Sequence, residues 1–287
     1  MAVLTASRNV SVLVASRTKQ FLPREHTKKA PHWGAFFVCA LLTLLPFEQV
    51  SAQEGTCPRL LGGDYARVAH VYDGDTLKLA DGSRIRLLGI NTPELGRDGR
   101  QDQPFARSAA QWLEVHTQGR EVYWVQGSGK QDRYGRMLAH VYLPDGRLVA
   151  EGLAEAGLGH VLARGVGRNL ESCLFKAEAR AKRAGKGVWQ QGARQASDIR
   201  QGGFALVKGR ITRVTRTSSG TYMDLDNHLA LFLPVELKAQ GASGWRRGQL
   251  LQARGWIIDR QRRGQTQSSG RQRWLLKITH LRHLQRL

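Results

Sequence analysis

The sequence predicts a mainly β chain with helices (α+β), in which a small barrel with packed helices is followed by a second, smaller β-barrel. Three observations support this fold class. Alternating apolar and polar segments are separated by Asp-Gly turns in residues 67–90, the pattern of antiparallel strands. Segments with helical periodicity follow. A second run of short strands begins after the polar, glycine-rich stretch 190–203.

The first domain is predicted to contain five strands and three helices. The strands are Arg67–Tyr72, Thr76–Leu79, Arg84–Ile90, Glu121–Val125 and Met137–Leu143. The helices are Phe105–His116, Leu148–Ala156 and Leu170–Ala184, the last ending at Gly185. Five strands with helices indicate a barrel of the oligonucleotide-binding (OB) type.

The second domain is also predicted as five strands, with no long helix. They are Phe204–Arg216, Tyr222–Asp226, Leu229–Leu233, Leu250–Asp259 and Trp274–Leu281. We therefore expect four segments: a signal peptide or uncleaved anchor at 1–52, the first domain at 53–190, a linker at 191–203, and a basic OB-like domain at 204–287.

The N-terminal segment has the features of an export signal. A basic stretch precedes the uncharged run at residues 33–47, and Val50-Ser51-Ala52 provides small residues for a cut before Gln53. We expect a periplasmic or secreted protein. The alternative is a chain anchored in the inner membrane through residues 33–47, although this run is short for a membrane span.

The net charge of +21 and the pI near 10.8 predict a polyanionic partner. They argue against an enzyme that attracts small cationic substrates. Residues 195–287 carry 17 basic and five acidic residues. More than half of the excess charge therefore belongs to the second domain.

Cysteine usage agrees with export. Cys39 lies in the apolar run, which leaves Cys57 and Cys173 as a pair in the mature chain. In an oxidising compartment such a pair predicts a disulfide. The loop that it closes is long, so the bond would contribute about 4 kcal/mol of stability.

Several short motifs occur in a fixed order in the first domain: DGDT at 73–76, RIRLLGINTPE at 84–94, DRYGRMLA at 132–139, GLGHV at 157–161 and AEARAKRAGKGVW at 177–189. Each motif alone is compatible with a plain turn, strand or helix. The ordered set resembles staphylococcal nuclease and its thermonuclease-like relatives over roughly residues 66–189. The resemblance implies a phosphodiester hydrolase with Ca²⁺ as its cofactor.

The resemblance also implies roles for individual residues. Arg86 and Arg136 match the arginines that contact phosphate, where paired N–H donors stabilise charge in the transition state. Glu94 matches the proposed general base. Arg133 and Tyr134 match positions beside the substrate.

The implied calcium site departs from the family pattern at one position. Asp75 matches a calcium ligand and Thr92 matches a residue that contributes its backbone carbonyl, but Asn91 stands where the family usually has a second Asp. An amide oxygen can coordinate Ca²⁺, yet one formal charge is lost, so we expect weaker affinity. Asp73 is expected near the metal rather than as a ligand.

Other departures concern the surroundings of the site. Asp98 and Asp102 could compensate for the lost charge, although solvated loop acids are the favoured interpretation. After GLGHV the family has two tyrosines that pack on the nucleotide, whereas this chain has Ala163 and Gly165. The nucleotide contacts are therefore expected to differ.

The second domain resembles, less specifically, the OB-type domains that follow the nuclease domain in some bacterial relatives. Its charge predicts nucleic-acid binding, with Tyr222, Trp245, Trp256 and Trp274 as candidates for base stacking. The alternative is that the tryptophans fill the core, which is favoured for Trp256 and Trp274. His280 and His283 are expected to be structural or solvated rather than metal ligands.

The sequence therefore predicts an exported, metal-dependent nuclease that acts on DNA alone or on both DNA and RNA. The family implies that it cuts internally and leaves 3′-phosphate ends. The alternative is a nucleic-acid-binding protein with weak or no turnover, which Asn91 favours. Electrostatic attachment to an anionic surface explains the charge but not the motifs.

Overall fold

The computed structural model describes residues 57–238, 240, 243–261 and 271–287. The predicted export segment, with Cys39, the run 33–47 and the cut before Gln53, lies outside these residues. Within the described part of the chain, none of the helices has the length and apolar character needed to cross a membrane.

The first domain contains a closed five-stranded barrel, which confirms the predicted fold class. The strands follow the order β1-β2-β3-β6-β5, and β1 pairs with β5 to close the barrel. Their bounds are β1 Asp64–Asp73, β2 Thr76–Leu79, β3 Arg84–Leu87, β5 Glu121–Gln131 and β6 Met137–Tyr142. All five predicted strands are present, and β5 extends six residues beyond its predicted end.

A short strand pair outside the barrel was not predicted. β4 (Ile90–Asn91) pairs antiparallel with β7 (His160–Val161), so that Ile90 faces Val161 and Asn91 faces His160. Each strand has only two residues, which is too short to be stable without support from its surroundings.

Three helices of the first domain lie close to their predicted bounds: α1 Ala106–Thr117, α2 Val149–Glu155 and α3 Arg168–Arg183. Their apolar residues recur at helical spacing, as in Ala106, Ala109 and Leu113 of α1, which are fully buried. A 3-10 turn at Gly187–Gln190 follows α3.

The predicted disulfide between Cys57 and Cys173 is present. It joins the segment before β1 to α3, with the two Cα atoms 5.3 Å apart. The backbone N–H of Cys57 also donates to Glu151 Oε2 of α2 at 3.0 Å. The N-terminal end of the described chain is therefore fixed to two helices.

The second domain has five strands whose pairings run around a ring. β9 pairs with both β10 and β12, and β13 pairs with both β11 and β12. The bounds are β8 Arg194–Gln195, β9 Gly203–Thr217, β10 Gly220–Leu225, β11 Leu229–Pro234, β12 Leu250–Asp259, β13 Trp274–Lys277 and β14 Leu284–Arg286, with a short helix α4 at Val235–Lys238. β8 and β14 extend the sheet at its ends.

The last predicted strand is shorter than expected. It was predicted to reach Leu281 but ends at Lys277, and a 3-10 turn forms at Leu281–His283. The His280 ring accepts a hydrogen bond from the Arg282 N–H, which caps this turn. A side chain that accepts from the backbone two residues later favours a turn over continued strand.

The described residues of both domains belong to one compact unit. Residues 191–203, predicted as a linker, include β8 and a 3-10 turn, and Ala196 and Ile199 are fully buried there. Leu206 of β9 also packs in a small cluster with Ala181 and Trp189 of the first domain. Apolar contacts therefore join the two barrels.

Candidate active site

The candidate site lies where β1 turns into β2. Asp73 ends β1, Gly74 and Asp75 form the turn, and Thr76 begins β2. A Cβ atom at Gly74 would lie 2.5 Å from the Ala109 Cβ and 2.7 Å from the Thr92 Oγ1. The turn can approach α1 and Thr92 this closely only because residue 74 is glycine.

Asp75 is the centre of the hydrogen-bond network. Its side chain is buried, and Oδ2 accepts from the Thr92 backbone N–H at 3.0 Å and from the Thr92 hydroxyl at 3.1 Å. The same oxygen lies 3.0 Å from Arg86 Nη2. A buried carboxylate with this many partners is held in one orientation.

Arg86 projects from β3 and forms hydrogen bonds with both residues of β4. Its Nη1 donates to the carbonyl oxygens of Leu87 at 2.7 Å and Ile90 at 2.9 Å, and its Nη2 donates to Asn91 Oδ1 at 3.0 Å. One guanidinium therefore joins Asp75, the backbone of β4 and the side chain of Asn91.

The implied metal ligands are brought together, and their chemistry fits a hard cation. Asp75 contributes a carboxylate, Asn91 an amide oxygen and Thr92 a carbonyl oxygen, all oxygen donors of the type that Ca²⁺ takes. Asn91 Nδ2 donates to the Thr92 carbonyl at 3.3 Å, so both ends of the amide are engaged in the site. Among the described residues, no group of three or more His, Cys, Asp and Glu side chains could hold a metal.

Asp73 lies beside Asp75, as expected. Its Oδ1 accepts from the Asp75 backbone N–H at 3.1 Å, and its Oδ2 lies 3.7 Å from Arg97 Nη2. Burial raises the pKa of Asp73, and the negative charge of Asp75 raises it further. Two carboxylates in one buried turn attract positive charge to this position.

Glu94 lies at the rim of the site and is the most exposed of the predicted catalytic residues. Its backbone is held by Gln103, whose Oε1 accepts from the Glu94 N–H at 3.0 Å and whose N–H donates to the Glu94 carbonyl at 3.0 Å. Partial loss of solvent raises the pKa of Glu94, and Asp75 and Asp73 raise it further, whereas Arg86 and Arg136 oppose the rise. The pKa of Glu94 therefore depends on the charges of two aspartates and two arginines of the site.

Arg136 is oriented by the loop that precedes it. Its Nη2 lies 2.7 Å from Asp132 Oδ2 and its Nε donates to the same oxygen at 2.8 Å. Its Nη1 donates to Thr76 Oγ1 at 2.9 Å, while the Thr76 hydroxyl donates to Asp75 Oδ1 at 3.2 Å. Thr76 therefore connects the second arginine to Asp75.

Arg133 and Tyr134 lie together on the exposed tip of the β5–β6 connection. Arg133 Nη2 donates to the Tyr134 hydroxyl at 2.6 Å, and the guanidinium carbon lies 4.8 Å from the ring centroid. Arg136 also approaches this ring, at 5.5 Å. The tyrosine ring thus stands next to the proposed phosphate-binding arginine.

Asp98 and Asp102 make contacts of their own in the loop after Glu94. Asp102 accepts from the Gly96 N–H at 2.8 Å and pairs with Arg107, whereas the exposed Asp98 lies 4.0 Å from Arg100. These contacts agree with the interpretation as loop acids.

Two residues to which the sequence analysis gave no role complete the site. Asp132 fixes Arg136, and Thr76 joins Arg136 to Asp75. The pairing of Asp132 with Arg136 was detectable, because opposite charges four residues apart flank a turn with Gly135 at φ 74°. The role of Thr76 depends on a contact between residues 60 positions apart, which has no local signal.

The second barrel contacts Ala163, one of the two positions at which the family tyrosines are missing, whereas Gly165 is exposed. The Ala163 N–H donates to His283 Nε2 at 3.0 Å, and only 3% of Ala163 is exposed. His283 itself is buried, which agrees with its prediction as a structural residue.

The aromatic residues of the second barrel divide between core and surface. Trp274 is 3% exposed, in agreement with its prediction as a core residue, whereas Trp256 is 49% exposed and its core prediction was wrong. Trp256 lies on the outer face of β12, where its ring meets Phe204 edge-on at 5.2 Å. Leu251, Ala253, Gly255 and Ile257 alternate on the buried side of β12, so the apolar character of the strand did not decide the direction of Trp256.

Comparison with known proteins identifies the family. The family model described as "Staphylococcal nuclease homologue" matches residues 84–191, the segment that carries Arg86, Asn91, Glu94 and Arg136. An uncharacterized endonuclease of Escherichia coli O157:H7 is 31% identical over 135 residues, which cover 46% of this chain and 81% of that protein. The chain belongs to the staphylococcal nuclease homologue family.

Other members of the staphylococcal nuclease homologue family match shorter parts of their own length. A thermonuclease of Staphylococcus intermedius is 35% identical over 101 residues, which cover 33% of this chain and 60% of that protein. A probable endonuclease of Coccidioides posadasii is 36% identical over 115 residues, which cover 37% of this chain and 36% of that protein. These matches cover less than half of this chain.

Proposed function

We propose that this chain is an exported, metal-dependent nuclease that hydrolyses phosphodiester bonds of DNA, or of DNA and RNA, cutting internally and leaving 3′-phosphate ends. One observation carries the proposal: two arginines, a general-base candidate and an oxygen ligand set converge on the turn between β1 and β2. The network through Asp75 and Thr76 links Arg86 to Arg136. Nuclease names among the relatives support the same conclusion.

The arginines bind the phosphate. Arg86 and Arg136 are each held by a carboxylate, Asp75 and Asp132 respectively, so their guanidinium groups are oriented before substrate arrives. The Nη groups of Arg86 already contact four protein oxygens, so a phosphate has to replace some of these partners. N–H donors paired with the phosphate oxygens then stabilise the charge that develops during displacement. Preorganisation of this kind makes electrostatic stabilisation effective, because little reorientation remains for the reaction itself.

Glu94 accepts the proton of the attacking water. The pKa of Glu94 is raised by partial burial and by the two neighbouring aspartates, which makes it a stronger base than an ordinary glutamate. A general base works best when its pKa approaches the working pH. Its position at the rim allows a water molecule to reach it.

Asp75, Asn91 and Thr92 hold the metal in this proposal, and Ca²⁺ is the expected ion because all three donors are oxygens. A bound divalent cation supplies positive charge to the phosphoryl oxygens and to water. The remaining functions, which are orienting the phosphate and removing the proton, belong to the protein side chains.

The second candidate function is nucleic-acid binding without turnover, and Asn91 favours it. The amide replaces a carboxylate, and its Nδ2 donates to the Thr92 carbonyl, which is itself an expected ligand. A cation would have to compete with this hydrogen bond. Retention of Arg86, Glu94 and Arg136 together favours the enzyme.

The second barrel is proposed to gather nucleic acid. A polar groove of about 520 Å³ lies on it, lined by three arginines, Arg213, Arg247 and Arg271, with Asp224 as the single acid. Its charge complements a phosphate backbone. The exposed ring of Trp256 offers a face on which a base can stack.

Export is proposed on two grounds: the signal-like N-terminal sequence and the disulfide between Cys57 and Cys173. Disulfides persist in the periplasm and outside the cell and are rare in reducing cytosol. Fractionation of cells expressing the full chain, with N-terminal sequencing of the mature protein, tests this part. An N-terminus at Gln53 is expected, and a cytosolic chain with free thiols would contradict it.

Cleavage assays test the enzymatic proposal. The mature protein is incubated with single-stranded DNA, double-stranded DNA and RNA, with Ca²⁺ and with chelator, beside the variants Glu94→Gln, Arg86→Ala and Asn91→Asp. We expect Ca²⁺-dependent cleavage by the wild type and a loss of about 10²- to 10⁴-fold in kcat for Glu94→Gln. If wild type and Asn91→Asp both bind DNA but cleave nothing over a range of Ca²⁺, the binding function replaces the enzyme.

A further inference from the structure

The strand β7 is held from the side opposite β4 by residues of the second barrel. Arg254 of β12 donates through Nη1 to the Val161 carbonyl at 3.1 Å, and the same atom lies 2.5 Å from Glu178 Oε1 of α3. Glu178 Oε1 in turn accepts the Val161 N–H at 2.7 Å. Both backbone groups of Val161 are therefore satisfied by one ion pair.

This ion pair is buried. Arg254 is 8% exposed and Glu178 is 4% exposed, and the guanidinium of Arg254 also lies 5.6 Å from the Phe175 ring centroid. A buried charge is tolerated when it is paired and hydrogen-bonded, and removal of one partner leaves the other uncompensated. The geometry of β7 is therefore tied to the presence of Arg254.

A second contact from the same barrel holds the residue that follows β7. His283 Nε2 accepts the Ala163 N–H at 3.0 Å, and His283 Nδ1 lies 3.2 Å from Thr279 Oγ1, so both ring nitrogens are engaged. Between these two contacts, the Leu162 N–H donates to the Gly89 carbonyl at 3.0 Å. Residues 161 to 163 thus lie between the second barrel and the strand β4.

β4 and the residue that follows it, Thr92, carry site groups whose positions depend on the contacts that Arg254 and His283 make with residues 161–163. Ile90 contributes the carbonyl to which Arg86 donates, Asn91 contributes its amide oxygen, and Thr92 holds Asp75. Among the strands in the described part of the chain, β4 pairs with β7 alone, so a displacement of β7 is expected to shift β4. Small misplacements of reacting groups have large effects on rate.

We propose that Arg254 and His283 are positioning residues of the nuclease site, which fix β7 so that β4 and the following Thr92 hold Asn91, Asp75 and the Arg86 guanidinium in their working geometry. The inference rests on the proposed nuclease function. It assigns the second barrel a role in the chemistry, in addition to the gathering of substrate. Nucleic acid need not touch either residue for this role.

The test uses the mature chain with a charge-neutral double variant, Arg254→Met with Glu178→Gln. The glutamine retains an acceptor for the Val161 N–H, and neither buried charge is left alone. The matched control is Arg180→Met with Glu155→Gln, which removes a partly exposed ion pair between α3 and the end of α2. We measure amide hydrogen exchange at residues 90–92 and 161–163, together with kcat and KM on a short oligonucleotide.

We expect exchange at residues 90–92 to accelerate at least tenfold in the Arg254→Met, Glu178→Gln variant and kcat to fall about 10- to 100-fold, with little change in KM. The control should change neither quantity. Unchanged exchange at residues 90–92 overturns the proposal. If the wild type cleaves no nucleic acid, the proposed nuclease function fails, yet the exchange result still decides whether the second barrel positions β4.

A second variant guards against misfolding of the first. His283→Ala removes only the acceptor for the Ala163 N–H, and His283→Gln restores an acceptor at that place. Faster exchange at residues 161–163 and a lower kcat are expected for His283→Ala, with recovery in His283→Gln. Equal behaviour of these two variants would contradict a positioning role for this hydrogen bond.

Discussion

The guanidinium of Arg86 and the carboxylate of Asp75 are 3.0 Å apart, and Asn91 Oδ1 lies at the same distance from the same nitrogen. The arginine expected to bind phosphate is thus already bonded to two expected metal ligands. Position 91 affects both functions, because its side chain contacts the arginine and contributes to the oxygen ligand set.

Asn91→Asp should therefore strengthen calcium binding. The substitution adds a negative charge without changing the size of the side chain, and it preserves an acceptor for Arg86. We expect the half-saturating Ca²⁺ concentration to fall roughly tenfold, measured by calorimetry and by titration of activity. Asn91→Ala serves as the control and should weaken binding. If Asn91→Asp binds Ca²⁺ no more tightly than wild type, Asn91 is not a ligand.

The pH dependence of kcat/KM should reveal Glu94. Its pKa is raised above the ordinary 4.5, and a general base acts only when deprotonated. Activity should therefore rise with pH through a midpoint above 4.5, and Glu94→Gln should abolish this rise. The pKa of Asp73 is also raised, so Asp73→Asn is measured in parallel. If the midpoint disappears in Asp73→Asn but persists in Glu94→Gln, the titrating group is Asp73 and the assignment to Glu94 is wrong.

Loss of the disulfide should lower stability. Cys57→Ser with Cys173→Ser opens a loop of 116 residues, and we expect the free energy of unfolding to fall by about 4 kcal/mol. Denaturant unfolding measures this change. Reductant should shift the wild type by a similar amount and leave the double variant unchanged. Labelling of two thiols in the unreduced, denatured wild type would show that the bond is absent in solution.

Acid should destabilise the protein partly through His283. Burial, with smaller contributions from Arg254 and His280, lowers the pKa of His283 from 6.5 to about 3. Between these pH values the unfolded chain binds a proton that the folded chain does not, so stability is lost as pH falls from 6.5 towards 3. His283→Gln should reduce this pH dependence, whereas replacement of the exposed His70 by Gln should not. An equal slope in all three proteins would contradict the shift.

The groove of the second barrel should govern the salt dependence of DNA binding. Arg247→Gln with Arg271→Gln removes two charges that line it, and each phosphate contact contributes about 1 to the slope of log affinity against log salt. We expect a slope lower by about 2, measured in chelator so that no cleavage occurs. Arg120→Gln with Arg183→Gln removes the same charge elsewhere and should leave the slope unchanged. Equal slopes in both variants would indicate diffuse attraction rather than a groove.

Local patterns predicted most of the first barrel. The Asp-Gly turns define β1 to β3, and helical periodicity defines α1 to within one residue at each end. These signals are local in sequence, so they require no knowledge of which strands meet. The candidate site residues Asp75, Arg86 and Asn91 were predicted from the resemblance of the ordered motifs, because each motif alone is compatible with a plain turn or strand.

Contacts between distant residues were not predictable in this way. The pairing of β4 with β7 brings together residues 69 and 71 positions apart, in strands too short to show alternation. Arg254 lies next to Gly255 and Trp256 in an apolar strand, where its charge gives no indication of a partner 76 residues away.

The separation of Ala163 and His283 along the chain also determines the order in which the two residues are synthesised. The two residues are 120 positions apart, and ribosomes add about 5 to 20 residues per second. The acceptor for the Ala163 N–H is therefore synthesised roughly 6 to 24 seconds after its donor. During this interval the nascent chain already contains Asp75, Arg86 and Glu94 but lacks the residues that support β7. A chain interrupted there has the nuclease motifs without the contacts that hold them in place.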